Sequence, residues 1–273
     1  MSETLTALGS VVALRRYPIK SMMGEDLNAV VVGTSLLGDR SFALVDTATG
    51  KVVSAKNPRK WPRLFEFHAT FIEPPSAGTA FPPVRVTLPD GRTLVTNQAD
   101  FDQVISKVLE REVTLNRAAL EEPELEEFWP EVEGITYNNV VTEEAMPANT
   151  FFDLAPIHLL TTATLERLQE LYPSGRFEAR RFRPNIVIKP EGNEKDFVEN
   201  AWVGRTVALG EEVVLAITDA CPRCVMTTLP QGDLPPDSGI LRTAAKYNQA
   251  HVGVYATVVR GGTIYRGDTL RFV

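Results

Sequence analysis

The chain has two cysteines, three positions apart, in Cys221-Pro222-Arg223-Cys224. Four chemistries suit such a pair. A structural zinc site wants four ligands, and no second pair exists. The three histidines, His68, His158 and His251, lie singly and read as ordinary strand or surface residues. A thiol redox motif needs its second cysteine to enter a helix whose N-terminus lowers the thiol pKa. Here Val225-Met226-Thr227-Thr228-Leu229-Pro230 follows, which is β-branched and stopped by proline. The pair could also be two buried thiols acting as small hydrophobes. Last, one thiolate could bind a soft metal held mainly by an organic cofactor.

Three other segments bear on that choice. Tyr17-Pro18-Ile19-Lys20-Ser21 places a cation and a hydroxyl at the end of the first strand. Arg176 to Asn185 holds four arginines in a chain of net charge −7. A basic cluster against the global sign suits a specific anion such as phosphate, which Arg matches bidentately. Leu159-Leu160-Thr161-Thr162 opens a helix, where backbone N–H groups and hydroxyls make a phosphate seat. Each segment alone has the ordinary reading of solvated charge. With a lone thiolate, they suggest a phosphorylated, metal-bearing cofactor.

The elements around these residues are mostly strands. Ser10 to Arg16, Val30 to Val32, Ser41 to Asp46, Phe65 to Phe71 and Asn185 to Lys189 carry apolar, β-branched or alternating patterns. Hairpins are expected at Thr47 to Gly50 leading into Lys51 to Ala55, at Pro89 to Arg92, at Gly210-Glu211 and at Gly261-Gly262, the last joining Val252 to Arg260 with Thr263 to Val273. Helices are expected over Asp100 to Arg111 and from Thr161-Thr162 to Leu171. Glu121 to Glu133 carries seven carboxylates and reads as an exposed, proline-punctuated connector. Leu229 to Gly239 reads as a proline-rich loop. The expected class is α+β, predominantly β and barrel-like. The division expected is 1–120 and 121–273.

Length and composition set the outer limits. A chain of 273 residues with 44% hydrophobic residues can bury a sizeable core without disulfide staples. Its negative charge argues against general binding to nucleic acid or anionic membrane. No apolar run reaches the length of a membrane helix. The segment Met1 to Lys20 reads as a first strand, and the two cysteines suit a reducing cytoplasm.

Four blocks in order resemble the MOSC-domain proteins, in particular the group of the mitochondrial amidoxime-reducing component and its bacterial relatives. They are Tyr17-Pro18-Ile19-Lys20-Ser21, Gly38-Asp39-Arg40-Ser41-Phe42-Ala43-Leu44-Val45, Phe182-Arg183-Pro184-Asn185-Ile186-Val187-Ile188 and Cys221-Pro222-Arg223-Cys224-Val225-Met226-Thr227-Thr228. The resemblance implies a MOSC-type β-barrel with a smaller β-rich N-terminal domain sharing one cofactor site. It implies the molybdenum cofactor, with Cys224 as the molybdenum ligand. It implies Lys20, Ser21, Arg40, Thr161, Thr162, Arg183 and Asn185 as contacts to the pterin or its phosphate, and assigns Cys221 no ligand role. The activity implied is reduction of N-hydroxylated compounds: amidoximes, hydroxylamines and N-hydroxylated bases. A plant-type iron–sulfur cluster needs four cysteines, so electrons are expected from a separate ferredoxin-, flavin- or cytochrome-type protein. The alternative role is a sulfur or molybdenum-cofactor carrier using Cys224 as a persulfide.

Overall fold

The computed structural model describes residues 7–117, 120–132 and 139–273. The segment expected as a first strand therefore has Met1 to Thr6 outside the described residues, and the expected connector has Glu133 outside them. In chain order the first elements are β1 (Ala7–Arg16), β2 (Glu25–Leu27), β3 (Ala29–Val32), β4 (Phe42–Asp46), β5 (His68–Phe71), β6 (Val84–Thr87), β7 (Thr93–Val95), α1 (Phe101–Leu109) and β8 (Val113–Arg117). Then come β9 (Glu124–Trp129), β10 (Val140–Ala145), β11 (Ile157–Thr161), α2 (Thr162–Leu171), α3 (Ala179–Phe182), β12 (Ile186–Pro190), β13 (Thr206–Leu209), β14 (Val213–Pro222), α4 (Gly239–Asn248), β15 (His251–Arg260), β16 (Gly262–Tyr265) and β17 (Thr269–Phe272).

Seven strands close a barrel in the order β12-β11-β15-β14-β13-β17-β1, with β12 pairing back onto β1. Closure removes the open edges an antiparallel sheet would otherwise expose. The pair β11–β12 is parallel, so it needs the crossover that α2 and α3 supply. Inward residues are aliphatic and interdigitate: Val11, Leu14, Leu159, Ile186, Ile188, Val207, Leu215, Val254 and Leu270 share one buried cluster.

The N-terminal half builds a second core beside the barrel. A meander β5-β6-β7 and the pair β4–β8 enclose Phe42, Trp61, Phe67, Val86 and Phe101. α1 packs its Phe101 and Ile105 face onto this cluster. Met226, just past Cys224, buries into the same cluster and joins the halves. The fold is α+β, predominantly β, as the patterns indicated.

Several elements differ from expectation. Thr263 to Val273 does not return along β15. β16 leaves to pair with β3, and β17 joins the barrel between β1 and β13. Phe65 to Phe71 is strand only from His68, because Leu64–Glu66 forms a short 3-10 turn. Lys51 to Ala55 meets β4 through a lone bridge, Val45 to Val52. The expected acidic connector is instead β9, hairpinned with β10, with Leu125 and Phe128 buried. On this strand Leu125, Glu127 and Trp129 share the face that lines a cavity, and Glu124, Glu126 and Phe128 share the other. α4 lies beyond the proline-rich loop, and burial of Ile240, Leu241 and Ala244 holds it. Among the described residues, no helix is long and apolar enough to cross a membrane.

Candidate functional site

A cavity of about 230 Å³ lies where the halves meet. The turn after β1 supplies its first residues. The backbone N–H of Lys20 donates to the Phe42 carbonyl at 2.8 Å, which docks the turn on β4. Ser21 takes φ 63°, and its Oγ accepts from the Ala55 N–H at 3.1 Å. Lys20 Nζ is buried and donates to the Phe151 carbonyl at 2.9 Å and to Asp153 at 2.5 Å.

Arg40 has φ 48° and lies over the Tyr17 ring, paired with Asp39. Arg183 has φ 54°, closes α3 and lies 4.1 Å over the same ring. Three non-glycine residues thus hold left-handed backbone at one site, a cost the surrounding contacts must offset. Asn185 is a brace. Its Oδ1 accepts from the His158 N–H at 3.1 Å, and its Nδ2 donates to Asp39 at 3.0 Å. Asp39 in turn accepts from the Tyr17 N–H at 2.7 Å.

Cys224 follows the end of β14 and opens the 3-10 turn Val225–Thr228. The Thr227 hydroxyl and N–H both donate to its carbonyl, at 3.0 and 3.2 Å. Its half-buried thiol faces the cavity. Burial pushes that thiol up to about 12, and Glu127 adds to the effect. The buried Cys221 sulfur accepts from Arg223 Nη1 at 2.7 Å and sits outside the lining.

The structure brings Lys20, Ser21, Arg40, Arg183, Asn185 and Cys224 to one lining. It does not bring Thr161 or Thr162 there. The α2 N-terminus is already filled by a buried carboxylate, Glu199. Glu199 accepts from the hydroxyls of Thr161 and Thr164 at 2.6 and 2.7 Å and from the Thr161 N–H at 3.3 Å. The expected phosphate seat is taken by an internal carboxyl group.

The arginine cluster also divides. Arg176 and Arg180 pair with Glu178 and Asp233 at the surface. Arg181 is fully buried and donates to the carbonyls of Arg176, Thr227, Leu229 and Pro235 at 2.9, 3.3, 3.2 and 2.8 Å. Of the four, Arg183 alone lines the cavity.

Sequence reading missed Lys56, Glu127, Trp129, Glu144, Asp153, Arg223 and Tyr255, which also line it. Arg223 sits inside the cysteine motif, so its place was within reach. Lys56 and Glu127 have no motif and meet only through folding, at 2.8 Å. Burial pushes Asp153 up, but Lys20 and Lys56 outweigh this and hold it well below the usual carboxylate range. His158, expected as an ordinary strand residue, is buried in the lining. Burial, then Arg223, lowers it to about 3, so it is neutral at pH 7. Lys20, Arg40, Lys56, Arg183 and Arg223 set five cations against the carboxylates of Glu127, Glu144 and Asp153. The cavity is therefore positive inside an acidic protein.

The model of the MOSC domain matches residues 147–271, and that of the MOSC N-terminal beta barrel domain matches residues 8–127. The chain is a MOSC-domain protein. The cavity lies where these two matched parts meet, with Lys20 and Arg40 from one and Arg183 and Cys224 from the other. Among solved structures, the chain is similar to YiiM from Geobacillus stearothermophilus at 17% identity and a TM-score of 0.32, over 44% of this chain and 54% of that one. The chain thus spans about half the length of that protein. It is also similar to the YUAD protein from Bacillus subtilis at 9% identity and a TM-score of 0.46, over 97% of this chain and 94% of that one. No curated protein matches the sequence.

MOSC domains occur in molybdenum-cofactor-binding and sulfurase-type proteins. The residues present fit such a group. Arg183 lines the cavity, and its Nη1 is buried with no partner, which leaves a donor to spare beside the other cations. Cys224 offers the soft sulfur ligand that such a metal takes.

Proposed function

We propose that this protein binds the molybdenum cofactor through Cys224 and reduces N-hydroxylated compounds, including amidoximes, hydroxylamines and N-hydroxylated bases. One observation carries the reading: the Cys224 thiol and the unpartnered Nη1 of Arg183 share one cation-lined cavity. When bound, the cofactor would supply two-electron redox chemistry at the N–O bond. The chain supplies the holding and the surroundings. Cys224 is the soft ligand, fixed by the two bonds from Thr227. Lys20, Arg40 and Arg183 hold the anionic end and take no part in bond breaking. Asn185 and Ser21 keep the Asp39 and Lys20 turns in register. The overall conversion consumes two electrons and two protons, breaks the N–O bond and releases water. The electrons come from a separate ferredoxin-, flavin- or cytochrome-type protein in the cytoplasm.

A sulfur carrier would need Cys224 as an open thiolate. The metal-free thiol, pushed up to about 12, is protonated at neutral pH and a weak nucleophile. A metal ligand is a thiolate too, so this shift does not separate the two roles; the cations that share the cavity with Cys224 favour the bound anionic cofactor. The test is molybdenum by mass spectrometry and oxidised pterin by fluorescence, on protein from a host that makes the cofactor. Stoichiometric molybdenum and pterin, with the metal lost in Cys224→Ser, is the expected result. Absence of both, with added sulfur on Cys224, refutes the reductase reading.

A further inference from the structure

The cavity carries two unlike sets of groups. One set is Lys20, Arg40 and Arg183, with the unpartnered Arg183 Nη1 buried among them. The other comes from the β9–β10 hairpin, which places Glu127, Trp129 and Glu144 on the lining. Lys56 neutralises Glu127 at 2.8 Å, and Lys20 neutralises Asp153 at 2.5 Å. Glu144 has no ion pair among the described residues. It is nevertheless held in place. Trp129 Nε1 donates to the Thr142 hydroxyl at 2.8 Å, and that hydroxyl donates to Glu144 at 2.6 Å. One threonine thus orients both an indole and a carboxylate on the cavity wall. Leu154, 61% exposed, adds an apolar lip.

An oriented indole suits a flat ring, and a carboxylate without a cation suits amino donors or positive charge. We propose that Trp129 and Glu144 form the substrate-recognition wall, selecting planar N-hydroxylated bases with amino groups, such as amidoximes and N-hydroxyguanidines, over substrates bearing a carboxylate. This rests on the reductase reading. In the reaction an amidoxime takes two electrons from the donor protein and two protons. The N–O bond breaks, the oxygen leaves as water, and an amidine remains. Loss of the electron-withdrawing hydroxyl makes the amidine the stronger base. It takes a further proton, pairs with Glu144 and acts as a product inhibitor.

The test is calorimetric titration of the cofactor-loaded protein with benzamidine, benzamide and benzoate. Glu144→Gln should weaken benzamidine binding roughly ten-fold and leave benzamide within about two-fold, the loss of one charge-assisted contact. Glu144→Asp should keep the preference for benzamidine over benzoate, and matched melting curves should show that both variants fold. Equal benzamidine affinity in wild type and Glu144→Gln overturns the proposal, as does benzoate binding as tightly as benzamidine. Reduction of benzamidoxime separates the two readings. Turnover with an unchanged KM in Glu144→Gln refutes the recognition wall and leaves the reductase standing. Glu144-dependent benzamidine binding without any turnover refutes the reductase and leaves the wall as an amidine site.

Discussion

Replacing Arg181 with methionine tests how the Cys224 turn is held. The Arg181 guanidinium is fully buried, has no ion pair among the described residues and satisfies four backbone carbonyls. Three of these, at Thr227, Leu229 and Pro235, belong to the chain that follows Cys224. Methionine fills similar volume but donates nothing, so those carbonyls lose their donor. The bonds at 2.8 and 2.9 Å are strong, and those at 3.2 and 3.3 Å are weaker. Recovered desolvation of the guanidinium offsets part of the loss, leaving a net cost of about 3–4 kcal/mol. For a protein of this size that lowers the melting temperature by roughly 6–15 °C. Thermal melting followed by circular dichroism measures it. Thiol labelling of Cys224 should also speed up, because Thr227 links Arg181 to the Cys224 carbonyl. Arg181→Lys keeps the charge but reaches fewer acceptors, so it should fall between. An Arg181→Met protein melting within about 2 °C of wild type, with unchanged labelling, would refute the reasoning.

Two further outcomes follow from buried contacts. Burial raises the Glu199 carboxyl above its ordinary value despite the hydroxyls of Thr161 and Thr164. A raised folded pKa contributes stability below the unfolded pKa and loses it as pH rises through the folded one. Glu199→Gln should therefore gain stability relative to wild type as pH rises from about 5 to 8, and parallel melting curves across that range would contradict this. Gly253 has φ +81°, and a Cβ there would meet His158 Nε2 at 2.4 Å and the Leu159 carbonyl at 2.5 Å. Gly253→Ala should cost roughly 2–4 kcal/mol in denaturant unfolding, and a loss under about 0.5 kcal/mol would show that the β11–β15 contact relaxes.

What could be read in advance was local. β1, α1, α2, β12 and the β6–β7 hairpin follow from periodicity, caps and an Asp-Gly turn. The cysteine pair, Lys20 and the arginine cluster holding Arg183 stood out together, while Arg40 and the choice of Cys224 as ligand came from the resemblance to the MOSC-domain proteins. What could not be read depended on distant partners. β9 is acidic by composition, yet Leu125 and Phe128 find burial against a segment far away in sequence. α4 has few strong apolar positions, and its packing under β15 decides its existence. Thr161 carries a hydroxyl suited to phosphate, but Glu199, 38 residues later, claims it. The four arginines look alike in sequence, and only the fold sorts them into surface pairs, a carbonyl clamp and a cavity cation.

The closing of the barrel by β1 has a consequence for biosynthesis. β1 leaves the ribosome first, but its two barrel neighbours, β12 and β17, come much later. At ordinary elongation rates β17 emerges on the order of 10–50 s after β1. Through that interval the strand has no barrel partner on one edge, and the turn carrying Lys20 and Ser21 has no finished site to enter. Pairing such distant segments is slow and exposes strand edges to wrong partners. The cavity lining is complete only once translation has delivered β15, which carries Tyr255.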